Sequence, residues 1–303
     1  MEPLAKLGRA LRDAGYAFIT PTPATHQRVL ARGGEAQTLR DVFGWSRPFP
    51  PQLLPETQLA LLEEAGALER AAAAAASAGL LLRSRVRFSS LGPLLLAHSA
   101  YPTTAPDAVF FGPDTYRFAS FLTARAPQRI GSLADVGCGT GAGGLLLASR
   151  AASVELLDVN AKALAFARAN CELNEVAARV CASDVLSGGS EGVDLVIANP
   201  PYLADDAGRT YRDGGGALGT GLSVRIVREA LDRLRPGGRL LLYTATPVIE
   251  GEHVLWPQLE PLLCGLRHDY LELDPDVFGE ELERPAYARV ERIAVIGLDV
   301  VKP

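Results

Sequence analysis

Cysteine is scarce in this chain and poorly placed for cross-linking or metal binding. Cys138, Cys171, Cys181 and Cys264 lie far apart, and none of the four histidines (His26, His98, His253, His268) completes a zinc-ligand spacing with them. Neither a disulfide framework nor a metal site is expected. No apolar run reaches the roughly 20 residues of a membrane-spanning helix. The first residues, Met1-Glu2-Pro3, lack a basic segment followed by an apolar core. A soluble, cytoplasmic protein is therefore the expectation. No repeat of fixed period is present, which argues against a solenoid. Nor is charge of one sign in large excess: 30 Lys+Arg against 35 Asp+Glu give a net charge of -5, unlike a protein coated with basic side chains for a polyanion. The balance is uneven, however. Residues 1–128 carry 13 Lys+Arg and 10 Asp+Glu (13 - 10 = +3), and the remainder 17 - 25 = -8, so a basic surface is to be sought in the N-terminal part.

At 303 residues the chain is too long for a typical single core. Its pattern divides it into residues 1–106, an N-terminal substrate-recognition domain, and 107–303, an α/β domain. The first part reads as short helices, including Leu4 to Ala14 and Pro55 to Ala65, with a further helix end in the alanine run Ala71 to Ala76. Two strands follow, Leu80 to Ser89 and Leu94 to His98, joined by a turn at Ser90 to Pro93. Helices and then a hairpin suggest a winged-helix-like module. In the first strand Arg83, Arg85 and Arg87 alternate with Ser84, Val86 and Phe88. Period two would set three guanidinium groups on one face, either to meet phosphates or as a solvated strand face. Beyond Ile130 strands and helices alternate up to two terminal strands near Tyr270 to Leu273 and Val290 to Leu298. That alternation predicts a parallel sheet covered by helices on both faces, with an antiparallel pair at one edge.

Two segments carry the chemistry. Asp135-Val136-Gly137-Cys138-Gly139-Thr140-Gly141 follows an apolar run, and Gly137, Gly139 and Gly141 suit a sharp strand-to-helix turn that a ligand approaches closely. Asp158 ends the next strand, 158 - 139 = 19 residues after the middle glycine, the spacing of a carboxylate that accepts ribose hydroxyls. Asp184 ends the third strand, where it can accept from an adenine amino group while Val185 or Leu186 packs on the ring. Asp135 either orients the cofactor's amino-acid tail or bonds to backbone amides. Cys138 is read as a small residue in the loop rather than a nucleophile.

About sixty residues on, Asn199-Pro200-Pro201-Tyr202 follows the apolar run Val193 to Ala198. The Asn199 amide oxygen can accept one hydrogen of a planar amine and the Pro200 carbonyl the other, while Tyr202 stacks on the acceptor. Phe110 and Phe111 are further candidates for an aromatic platform, and Ala204 to Gly216 is a candidate lid.

With both motifs in place, the chain from about Phe110 to Leu298 resembles class I S-adenosylmethionine-dependent methyltransferases, in particular the small-domain amino-methyltransferases bearing NPPY. The resemblance implies a seven-stranded Rossmann-like sheet of order 3-2-1-4-5-7-6. It also implies S-adenosyl-L-methionine as cofactor, with Gly137, Gly139, Asp158 and Asp184 as contacts. Gly214-Gly215-Gly216 and Gly219-Thr220-Gly221-Leu222 are similar to the loop after NPPY in release-factor glutamine methyltransferases, as is Pro113-Asp114-Thr115 to their linker. The hairpin with its arginines departs from the helical bundle of that group. The expected activity is N-methylation of a planar amine on a macromolecule, an RNA or DNA base being favoured over a protein glutamine. A non-catalytic cofactor-binding module and a dinucleotide oxidoreductase are the competing classes, and the second gives Asn199 no task.

Overall fold

The computed structural model describes residues 2–71, 79–204, 211–216 and 218–303, so the predicted helix end in the alanine run lies outside the described residues except for Ala71. The N-terminal part contains α1 (Glu2–Asp13), α2 (Pro23–Leu30), α3 (Leu39–Phe43), α4 (Glu56–Glu64), β1 (Leu68–Arg70), β2 (Leu82–Ser84), β3 (Val86–Leu91) and β4 (Leu94–Ser99). Then follow α5 (Pro113–Arg125), β5 (Ile130–Val136), α6 (Ala142–Leu147), β6 (Ala151–Asp158), α7 (Ala161–Leu173), β7 (Arg179–Ala182) and β8 (Val193–Ala198). The chain closes with α8 (Gly221–Arg233), β9 (Leu234–Ile249), β10 (Glu252–His253), α9 (Trp256–Leu263), β11 (Arg267–Asp274) and β12 (Arg292–Val301).

The large sheet runs β7-β6-β5-β8-β9-β12-β11, with the two-residue β10 added beside β9. Counted in chain order, the seven main strands stand as 3-2-1-4-5-7-6. Among the seven main strands only β12 runs opposite to the rest, which places the antiparallel edge where the terminal strands were expected. β5 and β8 are mostly apolar and buried over most of their length, with Asp135 and Asp194 as the charged exceptions, because helices cover both faces. They pair with each other, and the chain leaves them toward opposite edges of the sheet. At such a reversal the helices after the two strands diverge and open a crevice at the strands' C-terminal ends, which is where the glycine loop and Asn199 fall.

The hairpin is present, with Gly92-Pro93 as its two-residue turn, but β3 is buried along most of its length. It lies beneath α1 and α7 rather than projecting as a wing. Asn170 on α7 accepts from the Ala97 amide at 2.7 Å and donates to the carbonyls of Ala97 and Thr140, so it ties β4 to the glycine loop. α1 buries Leu4, Leu7 and Leu11 in a cluster that also holds Phe88, Val109, Phe166 and Leu173. At about 1.5–3 kcal/mol for each buried leucine, that face joins residues before and after position 106 into continuous packing.

The arginine row is not borne out. The expected strand Leu80 to Ser89 breaks at Arg85, where the Ser84 hydroxyl bonds the Val86 backbone, and β2 pairs instead with β1 in a separate ribbon. β1 itself lies within the stretch expected to be helical. Arg85 is exposed and ion-paired with Glu69 at 3.8 Å, whereas Arg87 is only 3% exposed and donates to the Thr20 hydroxyl. Alternation places side chains on one face only within an unbroken strand, and here a side-chain hydrogen bond breaks it.

Candidate active site

One cavity of about 590 Å3, a size typical of ligand pockets, opens over the C-terminal ends of β5, β6 and β8. The glycine loop forms its floor. Gly137 and Gly139 have φ of 65° and 54°, and a Cβ on either would meet nothing within 4 Å, so the bare backbone faces open space. Gly141 is different. It is not part of the lining, and a Cβ there would lie 3.0 Å from Leu156, so it serves the turn into α6 rather than a ligand. Cys138 is buried, and that burial pushes its thiol well above the usual range, consistent with a packing role.

Asp158 reaches across from β6. Its Oδ2 accepts from the Gly139 amide at 2.9 Å and its Oδ1 from the Asn160 amide at 2.8 Å, which fixes the loop. Each carboxylate oxygen keeps acceptor capacity toward the cavity. Burial raises its pKa, and the backbone amides counteract that in part. Asp135, also in the lining, accepts from the Gly144 amide at 2.8 Å. Of the two readings for Asp135, the backbone bond is realised on one oxygen.

Burial pushes the Asp135 carboxyl up to about 7, with the charge of Asp158 adding to the shift. A folded-state pKa above the ordinary 3.8 means that the stability linked to this proton is present below that value and lost as pH rises through about 7. Asp135→Asn, neutral at every pH, is therefore expected to melt higher than the wild type at pH 8, with the advantage shrinking as pH falls toward 4. Thermal melts across that range check it. A difference in Tm that does not vary with pH would remove the linkage.

Asp184 lines the cavity with Ser183 and Val185, but its side chain is 62% exposed and Arg225 holds both of its oxygens, at 2.8 and 2.9 Å. An adenine amino group would have to share that carboxylate with a guanidinium. Val185 is buried with φ of 52° and presents an apolar wall, and Leu186 is buried away from the lining.

On the opposite side Asn199 emerges from β8 half-buried in the lining, and no side chain or backbone group among the described residues takes its amide. Tyr202 sits differently from expectation. Its ring is only 7% exposed and tilts 56° against Phe278 at 6.0 Å, while its hydroxyl engages Asp114. It thus forms a wall more than an open stacking face. Phe111 is fully buried against His98, which removes it as a platform. Phe110 remains, half-buried in the lining and stacked on Tyr211 at 5.7 Å and 13°.

Two participants escaped sequence reasoning. Tyr211 had no motif to mark it. Asp114 stands in the first turn of α5, after the Gly112 that precedes the helix, and turns inward, where its Oδ1 accepts from Tyr243 and Arg117, each at 3.2 Å. An acidic residue just before an apolar helix face was the available signal. The glycines after NPPY have a local cause. The Gly214 amide donates to the Leu203 carbonyl at 2.8 Å, and a Cβ on Gly219 would lie 2.5 Å from the Tyr202 carbonyl oxygen. Only glycine lets those backbones close on the turn. Part of the expected lid, 205–210, lies outside the described residues. Ala204 is bonded through its amide to the Tyr287 hydroxyl and through its carbonyl to Arg284.

A 3-2-1-4-5-7-6 sheet with a glycine loop, an acidic residue on the second strand and an asparagine turn on the fourth defines the class of Rossmann-like methyltransferase domains. Residues 115–255, slightly under half of the chain, match the model of the methyltransferase small domain family. Over 108 residues the chain is 38% identical to the ribosomal RNA small subunit methyltransferase C of Chromohalobacter salexigens, a match covering 36% of this chain and 29% of that protein. The same enzyme of Sodalis glossinidius is 40% identical over 114 residues, with the same two shares. The release factor glutamine methyltransferase of Lactococcus lactis is 26% identical over 145 residues, 43% of this chain and 53% of that protein. The match thus spans less than a third of the ribosomal relatives' length. Among solved structures, wild-type Trm5b from Pyrococcus abyssi shares the fold with a TM-score of 0.50 and 18% identity, over 78% of this chain and 63% of that one. No described helix is long and apolar enough to cross a membrane.

Proposed function

We propose that this chain transfers a methyl group from S-adenosyl-L-methionine to an exocyclic amino nitrogen of a nucleobase in RNA. The observation that carries the reading is the Asn199 amide, which has no partner among the described residues and faces the same cavity as the open glycine floor. The floor fits the cofactor: bare backbone at Gly137 and Gly139 admits its tail and ribose, Asp158 accepts ribose hydroxyls, and Val185 covers the adenine face. When bound, the cofactor supplies an electrophilic methyl on a sulfonium. Asn199 accepts one N–H of the acceptor amine through its amide oxygen and Pro200 the other through its carbonyl, which turns the nitrogen lone pair toward the methyl. No side chain has to remove the proton before attack, so catalysis is positioning and electrostatics.

RNA is supported over DNA by the named ribosomal RNA methyltransferases, and a cytoplasmic location goes with that acceptor. Residues 1–106 act as the acceptor-recognition part and 107–303 as the cofactor-binding part. The match to the glutamine methyltransferase favours a second reading, a protein glutamine amide, which presents the same planar N–H pair.

Methyl-labelled cofactor incubated with deproteinised ribosomal RNA, deproteinised DNA and an RNA-free protein extract, each then treated with nuclease or protease, separates these acceptors. RNA label lost to ribonuclease is expected. Label on protein alone would move the assignment to glutamine, and cofactor binding without label on any acceptor would support a non-catalytic module.

Asp114 is a positioning residue in this scheme, because its carboxylate accepts from Tyr243 and lies beside the Tyr202 hydroxyl behind the Asn199 turn. Asp114→Ala should lower kcat roughly tenfold, with cofactor affinity within twofold, since it leaves buried hydroxyls without an acceptor. Asp114→Asn keeps an acceptor oxygen and should restore most of the rate. Initial rates beside a cofactor titration check this, and equal rates for the alanine variant and the wild type would leave Asp114 without that role.

A further inference from the structure

Since the arginines of the hairpin are buried, ion-paired or split between two ribbons, the basic surface of the N-terminal part has to lie elsewhere. α2 supplies it. Thr22, Pro23 and Ala24, at its start, line the cavity, and the Thr22 hydroxyl caps the helix by accepting from the Thr25 amide at 3.2 Å. The inward face of α2 is fixed by His26, which is buried, hydrogen-bonded to the Trp45 carbonyl at 2.9 Å and packed on Tyr101 at 4.1 Å. Opposite it, Ala24, Arg28 and Arg32 follow one another at intervals of four residues and are all exposed, with Ala31 continuing the helical backbone between the last two.

Among the described residues the side chains of Arg28 and Arg32 take part in no hydrogen bond or ion pair. Neighbouring arginines are committed. Arg47 donates to the carbonyls of Val29 and Gly34, which holds the end of α2, and Arg40 lies over the Phe18 ring. At 1.5 Å per residue the row extends about 12 Å outward from the cavity rim. At about 3.4 Å per stacked nucleotide that distance spans three or four backbone units of a single strand.

We propose that this row is a backbone track for single-stranded RNA, with Arg28 and Arg32 contacting phosphates of the nucleotides adjoining the base held in the cavity. The inference rests on the RNA reading of the site and adds to it a surface and a polarity: the strand leaves the pocket over α2. Charge complementarity selects the occupant, because two unpaired guanidinium groups in line suit a polyanion and offer no apolar face to a protein chain.

The test uses the full chain as R28Q/R32Q and R28K/R32K, a mixed-sequence single-stranded RNA 12-mer for binding, and deproteinised ribosomal RNA for methyl transfer. The glutamine variant should bind the 12-mer roughly tenfold more weakly. Its log–log salt slope should be shallower by about 1.4, two contacts at roughly 0.7 each. KM for ribosomal RNA should rise in step, with kcat at saturating RNA, cofactor affinity and Tm unchanged, and the lysine variant should keep the wild-type slope. Equal binding and equal slopes for wild type and R28Q/R32Q, with RNA still labelled by both, would overturn the track and leave the RNA assignment standing. No label on ribosomal RNA from the wild type, together with label on an RNA-free protein extract, would overturn both.

Discussion

Asn199→Ala is expected to cut methyl transfer by about a hundredfold or more while leaving cofactor affinity within two- to threefold of the wild type. Removing one positioned polar contact to a reacting group commonly has an effect of that size. The reasoning rests on placement. Asn199 stands at the end of β8, a strand buried along almost its whole length, so its backbone cannot drift, and its amide is not engaged by the described residues. The substitution thus removes a contact to the acceptor and none that the fold uses, and stability should change little. Single-turnover rates with saturating cofactor read the loss directly, and a cofactor titration on the same sample shows whether binding survives. A normal transfer rate would remove Asn199 from the mechanism.

Asp158→Ala should act on the other half of the reaction, weakening cofactor binding by roughly 10- to 100-fold. That is the scale of about 1.5–3 kcal/mol for a hydrogen bond to a charged group. Two losses combine. The ribose hydroxyls lose their acceptor, and the amides of Gly139 and Asn160, bonded to this carboxylate at 2.9 and 2.8 Å, lose theirs, so the loop itself is less well held. Asp158→Asn should fall in between, because it keeps one acceptor oxygen. Calorimetric titration with the cofactor, beside thermal melts, separates the binding effect from a folding effect. Unchanged affinity in Asp158→Ala would end its assignment to the ribose.

The strands and the two turns that carry the site were legible in the sequence for a physical reason, whereas the order of the sheet, which the structure shows, was implied by the family resemblance. A parallel strand buried on both faces is a continuous apolar run, and the turn after it needs glycine or proline, so β5 with Gly137 and Gly139 and β8 with Asn199-Pro200 declared themselves locally. The spacing from Gly139 to Asp158 is likewise one helix and one strand of chain, and the structure joins the pair by a hydrogen bond. What depended on distant partners was not legible. Gly141 fits the same motif as its neighbours, yet packing against Leu156 turns it from the cavity. Asp184 follows β7 by two residues instead of ending it, and Arg225, 41 residues further on, occupies its carboxylate. Tyr202 follows the asparagine turn as expected, and only the approach of Asp114 and Phe278 from other elements closes its ring into a wall. The arginines show the same division. Alternation in Arg83, Arg85 and Arg87 gave no hint of the break at Arg85, and Arg28 and Arg32 become a row beside the cavity only because the fold sets the first turn of α2 on its rim. Sequence determined each backbone position that a local pattern of burial and turning dictates. Tertiary structure decided which of those side chains remained unpaired in the cavity, because that depends on charges and rings brought in from elsewhere in the chain.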